Sequence, residues 1–128
     1  DISAAIGRVQ LRRLADFNSR RREIAMIYNK SLSQYVQVPK NRRGHVFHQY
    51  TILSDNRDKL REHLQDKGVG SGIYYPTLLF NYEPMSQYST ECPRAQMLTE
   101  KAISLPVHPA LTNEDVSTVI SAVSSFFD

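Results

Sequence analysis

The first 35 residues contain no proline and carry apolar side chains at helical spacing: Ile2, Ala5, Ile6 and Val9, then Phe17, Ile24, Tyr28 and Tyr35. Asp1 or Ser3 can cap the first turn, and Asn18-Ser19 marks a candidate break between two helices. A continuous helix of about 33 residues would be about 50 Å long. A compact domain of the chain's 128 residues has a radius of gyration of only roughly 14 Å. Such an element projects from its own domain or folds back on itself. Either way, its apolar surface expects a partner, whether another domain or another subunit. The organisation predicted is a helical linker or interface arm over 1–35 and a small α+β domain over 36–128.

The stretch Gly68-Val-Gly-Ser-Gly-Ile-Tyr-Tyr-Pro76 organises that domain and holds three of the chain's five glycines. Gly68-x-Gly70-x-Gly72 invites comparison with a phosphate-cradling loop, but the dinucleotide fingerprint needs a strand before the glycines and a helix after them. Here the order is reversed. Residues 58–67 read as a helix, with Leu60 and Leu64 four apart, and Gly68 stands where a helix stop wants positive φ. Ser71-Gly-Ile-Tyr-Tyr75 then suits a strand that ends at Pro76, which has no N–H for a ladder.

Two further strands are expected. His45-Val-Phe-His-Gln-Tyr-Thr-Ile-Leu53 alternates Val46, His48, Tyr50 and Ile52 with Phe47, Gln49, Thr51 and Leu53, as a central strand covered on both faces would. Ile103 to Val107 is a short apolar run that Pro106 confines to an edge or a strand end. Val36 to Gly44 reads as a basic loop, Thr77 to Cys92 as an aromatic loop and Pro93 to Lys101 as a short helix. Thr112 with Asp115 three positions on forms an acidic capping box for a last helix, whose stripe is Val116, Val119, Ile120, Val123 and Phe127. The fold class predicted is α+β: a sheet of about three strands covered by helices and preceded by a long helical arm.

Composition narrows the chemistry. With 41% hydrophobic and 23% charged residues the chain is globular in character, and no apolar run approaches a membrane span. The single cysteine, Cys92, excludes an intrachain disulfide and fits a reducing, cytoplasmic compartment. It lies in a polar loop with no local base, so it reads as a loop thiol rather than a nucleophile. Arg8, Arg12, Arg13, Arg20, Arg21 and Arg22 could form a nucleic-acid stripe, but Asp16 and Glu23 dilute it and no binding module accompanies it. A solvated or interface face is the simpler reading, and no nucleic-acid partner is expected. His45 and His48 are three apart in an expected strand, where they diverge, so no metal site is expected. Neither a nucleophile elbow nor a Walker loop is present. The tyrosines at 74 and 75 and the loop after them either wall a ligand site or close the small core.

The ordered set Asp1-Ile-Ser-Ala-Ala-Ile-Gly-Arg-Val-Gln-Leu11, Arg20-Arg-Arg-Glu-Ile-Ala25, His48-Gln-Tyr50, Gly68–Pro76 and Leu105-Pro-Val-His-Pro-Ala-Leu-Thr112 resembles the C-terminal part of the DegT/StrS-type sugar aminotransferases, of pyridoxal-phosphate fold type I. The resemblance implies transamination of a keto-sugar, usually nucleotide-linked, by a dimeric enzyme. In that family the cofactor lysine and the aspartate on the pyridinium nitrogen belong to the large N-terminal domain. The family's lysine follows a Ser/Thr-x-x pattern. Lys30, Lys40, Lys59, Lys67 and Lys101 instead have Ile27, Gln37, Asn56, Leu64 and Leu98 three positions before them.

The resemblance therefore implies a C-terminal small domain without catalytic residues or bound cofactor of its own. It would pair with an N-terminal cofactor domain and, through Ile2, Ile6, Val9 and Leu11, with a homodimer partner. Tyr74, Tyr75 and His48 would face the sugar cleft. The family often has His-Tyr-Pro where Tyr74-Tyr75-Pro76 stands, and Pro-Leu-His where Leu78-Leu79-Phe80 stands; Phe80 cannot donate the histidine's hydrogen bond. Some family members are regarded as regulators, so a non-enzymatic regulatory or protein-interaction module is the alternative that the resemblance leaves open.

Overall fold

A computed structural model describes all residues, 1–128. Five helices and two strands follow in the order α1 (Ile2–Arg12), α2 (Leu14–Leu32), β1 (Tyr50–Leu53), α3 (Arg57–Asp66), α4 (Pro93–Lys101), β2 (Ala102–Leu105) and α5 (Asn113–Ser124). Two short 3-10 turns, Leu79–Asn81 and Glu83–Tyr88, lie between α3 and α4.

The N-terminal arm is two helices, as expected, but the break falls at Arg13 rather than at Asn18-Ser19. Asn18 does not serve as a cap, because its Oδ1 accepts from Arg21 at 3.3 Å. At Arg13 the backbone N–H turns back to the Gln10 carbonyl at 3.0 Å, three residues away, and the i to i−4 ladder restarts with Phe17 on Arg13. None of α1 is buried. In α2 burial begins at Ile24 and continues through Ala25, Tyr28 and Leu32, a single helical face. That face packs on α5, which contributes Val116, Val119, Ala122 and Val123. Arg20 ties the same two helices at the rim, donating to the Leu111 carbonyl at 2.8 Å and to Asn113 Oδ1 at 2.9 Å.

The expected sheet of about three strands is a two-stranded antiparallel one, with Tyr50 opposite Leu105 and Ile52 opposite Ile103. One face buries Tyr50, Ile52, Ile103 and Leu105 in the core. The missing strand is reduced to a single bridge at Gly72. Gly72 and Ser104 exchange two backbone hydrogen bonds, of 3.0 and 2.8 Å, and the chain then departs toward Pro76. Gln37 makes a matching pair with Leu53 on the opposite edge. The long strand expected from His45 is also shorter, beginning only at Tyr50. Gly44 at φ +83° instead closes a turn in which the His45 N–H bonds the Arg42 carbonyl at 3.0 Å, and Phe47 at φ +48° keeps the following residues from running extended. The reward is burial of the Phe47 ring, 1% exposed, whereas Val46 and His48 on the other side of the alternation are left outside.

Local signals elsewhere are obeyed. Gly68 has φ +74°, its N–H bonds the Gln65 carbonyl, and the Val69 N–H bonds the Leu64 carbonyl, which together make a Schellman stop. Val69 and Leu64 are both buried, supplying the apolar contact that accompanies that motif. Pro106 lies one residue past the end of β2.

At α5, Thr112 Oγ1 accepts from the Asp115 N–H at 3.1 Å while Asp115 Oδ2 accepts from the Thr112 N–H at 2.8 Å. The Thr112 backbone N–H, then its hydroxyl, hold the Asp115 carboxyl below the ordinary aspartate range. The ionised carboxylate is therefore favoured by folding, and its contribution is present at neutral pH and is lost as pH falls below about 3.9 toward the depressed folded value. Thr112→Ala is expected to cost about 1 kcal/mol in urea unfolding at neutral pH and to flatten the acid limb of the stability profile.

Burial, and then the negative charge of Asp115, raise the phenol of Tyr28; burial, and then Tyr28, raise that of Tyr50. A raised value favours the neutral phenol in the fold, so this stabilisation is complete below about pH 10 and declines above it. An alkaline absorbance titration is expected to show both phenols ionising only together with loss of helical circular dichroism. Their ionisation in the still-folded chain would contradict the packing described.

Candidate functional site

Beyond β1 and β2 the sheet has a second face, and the sequence explains why it is open. Thr51 and Leu53 of β1 stand opposite Ser104 and Ala102 of β2, and apart from Leu53 these are small or half-polar, while the bulky partners point into the core. Thr51 Oγ1 and Ser104 Oγ lie 2.7 Å apart, satisfying each other across the strands. Helix α4 covers part of this face with Ala95 and Leu98.

Tyr74 stands over the sheet edge where the Gly72 bridge ends. Its ring folds back on Gly72, so closely that a Cβ there would lie 3.0 Å from the ring. The glycine at this position is thus a seat for the tyrosine rather than a positive-φ turn. Two clefts meet beneath it. The first, of about 370 Å³, is largely apolar and is bounded by Tyr74, Tyr75, Leu53, Leu98 and Ala102. The second, of about 290 Å³, is mixed: Leu105, Pro106 and Val107 give it apolar surface, and Arg21, His48, Gln49, Tyr74 and His108 bring polar groups to it. Gln49, Gly72, Tyr74 and Ser104 belong to both.

Two of the expected site residues, His48 and Tyr74, therefore share one cleft, and Tyr75 joins Tyr74 on the adjoining one. Tyr75 is 80% exposed, so it forms a rim and not a wall. Both tyrosines stand outside the core, which leaves the core-closing role expected as an alternative to Tyr28 and Tyr50. Phe80 lines a different, polar cleft with Cys92, Glu91 and Glu100. No three His, Cys, Asp or Glu side chains gather as metal ligands, and no helix is long and apolar enough to cross a membrane.

Sequence reasoning passed over Arg21, Gln49 and His108 as site residues. Each lies inside a stretch singled out for its order in the chain, yet Arg21 and His108 are far apart in sequence and line one cleft only because α2 lies against the end of β2, where Tyr28 bonds the Pro106 carbonyl. The local cue at 108 is a hydrogen bond: His108 Nδ1 accepts from the Ala110 N–H at 3.2 Å, which fixes the ring. His45 makes the same short-range contact with the Phe47 N–H at 3.0 Å, and so sets the turn that delivers His48.

These features have counterparts. The chain is 37% identical to GDP-perosamine synthase of Escherichia coli O157:H7 over 99% of its own length, which is 36% of that protein. It is 31% identical to a protein of Geobacillus stearothermophilus called pleiotropic regulatory protein, covering 99% of this chain and 37% of that one. Among solved structures, a DegT DnrJ EryC1 StrS aminotransferase from Brucella abortus superposes with a TM-score of 0.85 at 35% identity, over 91% of this chain and 32% of that one. The chain thus spans about a third of the length of these relatives. The family model for DegT/DnrJ/EryC1/StrS aminotransferases matches residues 1–124. With that match running through the arm, the glycine bridge and the capped last helix, the chain belongs to the DegT/DnrJ/EryC1/StrS aminotransferase family.

Proposed function

We propose that this chain is the C-terminal, substrate-side domain of a pyridoxal-phosphate-dependent aminotransferase acting on a nucleotide-linked keto-sugar in the cytoplasm. The observation that carries the reading is the pair of clefts joined under Tyr74, walled by tyrosine and histidine and lined by none of the chain's five lysines. An anchoring lysine for the cofactor does not fit this chain's clefts, so the reading assigns it to the rest of a longer polypeptide. When bound there, pyridoxal phosphate supplies the electron sink for moving an amino group.

The work left to this chain is binding and orientation. The Tyr74 ring offers an apolar face for a sugar and its hydroxyl a hydrogen bond. His48 and Gln49 offer further polar contacts from the segment just before β1, and Tyr75 covers the open side. A ligand held between groups on three separate segments is fixed in orientation, which is the contribution a non-reacting domain can make to rate.

The arm fits the same reading. Ile2 is 81% and Leu11 68% exposed, with Ile6, Val9 and Leu14 also open to solvent. Fully burying side chains of this kind stabilises by about 1.5–3 kcal/mol each, so the row is a strong interface when covered. We assign it to the cofactor domain and a second subunit, with the boundary between arm and small domain near residue 35. The inner turns of α2 already serve the core. A second reading, a regulatory module that uses the same arm without catalysis, draws its support from the name of the Geobacillus relative.

Absorbance separates the two. The full-length protein supplied with pyridoxal phosphate is expected to develop a visible cofactor band that these 128 residues alone do not. Absence of the band from the full-length protein would sink the aminotransferase reading and favour the regulatory one. Gly72→Ala is expected to leave the melting temperature nearly unchanged, because the added Cβ meets only the far end of a movable Tyr74 ring. It should raise KM for the sugar substrate by displacing that ring, and an unchanged KM would remove Tyr74 from the site.

A further inference from the structure

We infer that the cleft between α2 and the end of β2 holds the diphosphate of the nucleotide-linked sugar, with Arg21 as its principal contact. The inference rests on the sugar-aminotransferase reading for its ligand and on independent geometry for its place. No carboxylate lines this cleft, whereas Arg21, His48 and His108 do. Arg21 is half-buried, and its only side-chain partner is neutral Asn18, at 3.3 Å. The neighbouring Arg20, by contrast, is matched with Glu23 at 2.9 Å. A half-buried guanidinium without a counter-charge is suited to an anionic ligand, and its planar fork matches phosphate oxygens two at a time.

The other donors agree in kind. His108 Nδ1 is already an acceptor for the Ala110 N–H, so in the neutral ring the proton sits on Nε2, free for a ligand. Gly70 and Ser71 line the same cleft, and their N–H groups donate to no acceptor within the protein. The glycine stretch thus lacks the order of a dinucleotide loop but still brings unspent backbone donors to the site. Gly72 N–H, by comparison, is used on Ser104. At about 290 Å³ the cleft is at the small end of ligand sites, a size for a diphosphate and not for a whole nucleotide. The adjoining apolar cleft under Tyr74 and Tyr75 is left for the ring that the diphosphate carries.

Phosphate chemistry has a second possible source, the phosphate of pyridoxal phosphate, and the test distinguishes them. Inorganic pyrophosphate is titrated calorimetrically into the full-length protein, with and without saturating pyridoxal phosphate. Binding is expected in both states. Arg21→Gln should weaken it about tenfold or more, as loss of a charge-assisted fork implies, and His108→Gln should weaken it to a smaller degree. Arg61→Gln, the same charge change on the exposed side of α3, should have no effect.

Equal affinity in Arg21→Gln and the native protein would overturn the inference, and so would displacement of pyrophosphate by pyridoxal phosphate. If Arg21→Gln does not fold, Arg21→Lys keeps the charge and loses the fork; it is expected to bind several-fold more weakly, and native affinity there is equally fatal. A cofactor band with pyrophosphate affinity indifferent to Arg21 refutes this site alone. Arg21-dependent pyrophosphate binding without a cofactor band refutes the aminotransferase reading and retains the site.

Discussion

Tyr28 on α2 and Tyr50 at the start of β1 meet with ring centroids 5.0 Å apart, both fully buried. Each hydroxyl has one partner: Tyr28 donates to the Pro106 carbonyl at 2.9 Å, and Tyr50 donates to Asn29 Oδ1 at 2.7 Å. Four segments are therefore joined at one point: the inner turns of α2, the entry to β1, the exit of β2 and, through Phe47 with its ring 6.2 Å from Tyr50, the preceding turn. A buried hydroxyl without a partner would cost more than an ordinary hydrogen bond contributes. The pair thus holds α2 at one angle and one depth over the sheet. Arg21 and His108 reach the same cleft because that crossing is fixed.

A two-stranded sheet is marginal by itself and needs packing against helices to persist. Here α2, α3 and α5 close one face with aliphatic side chains, and the single bridges at Gly72 and Gln37 occupy both edges without extending them. The other face stays half-covered, and the two clefts open there. Economy of strands and openness of the site are the same fact. A full third strand through 71–75 would carry Tyr74 along the ladder rather than back over Gly72.

The strained turn at Phe47 belongs to this arrangement. A bulky side chain at positive φ costs of order 1–3 kcal/mol. Burial of its ring among Tyr50 and the core offsets that cost, and His45 Nδ1 accepts the otherwise exposed N–H. The consequence is positional: His48 is turned out of the core and toward the cleft. The arm differs in kind, since nothing in the chain compensates for the exposed Ile2, Ile6, Val9 and Leu11.

Features that act over one helical turn or less are legible without the fold. Gly68 ended α3 through positive φ, Thr112 and Asp115 began α5, Pro106 ended β2, and the apolar rows of α2 and α5 marked their buried faces. The order of five motifs determined the family, and it drew attention to His48, Tyr74 and Tyr75. Tertiary structure decided what depends on a partner distant in the chain. Alternation from His45 to Leu53 suited a strand, but a strand exists only where another pairs with it, and β2 offers four positions. The gain from burying Phe47 then outweighed the local preference for extended backbone. Arg21 read as part of a solvated or interface face and His108 drew no reading of its own, because no local rule brings α2 to the end of β2; the Tyr28–Tyr50 contact does.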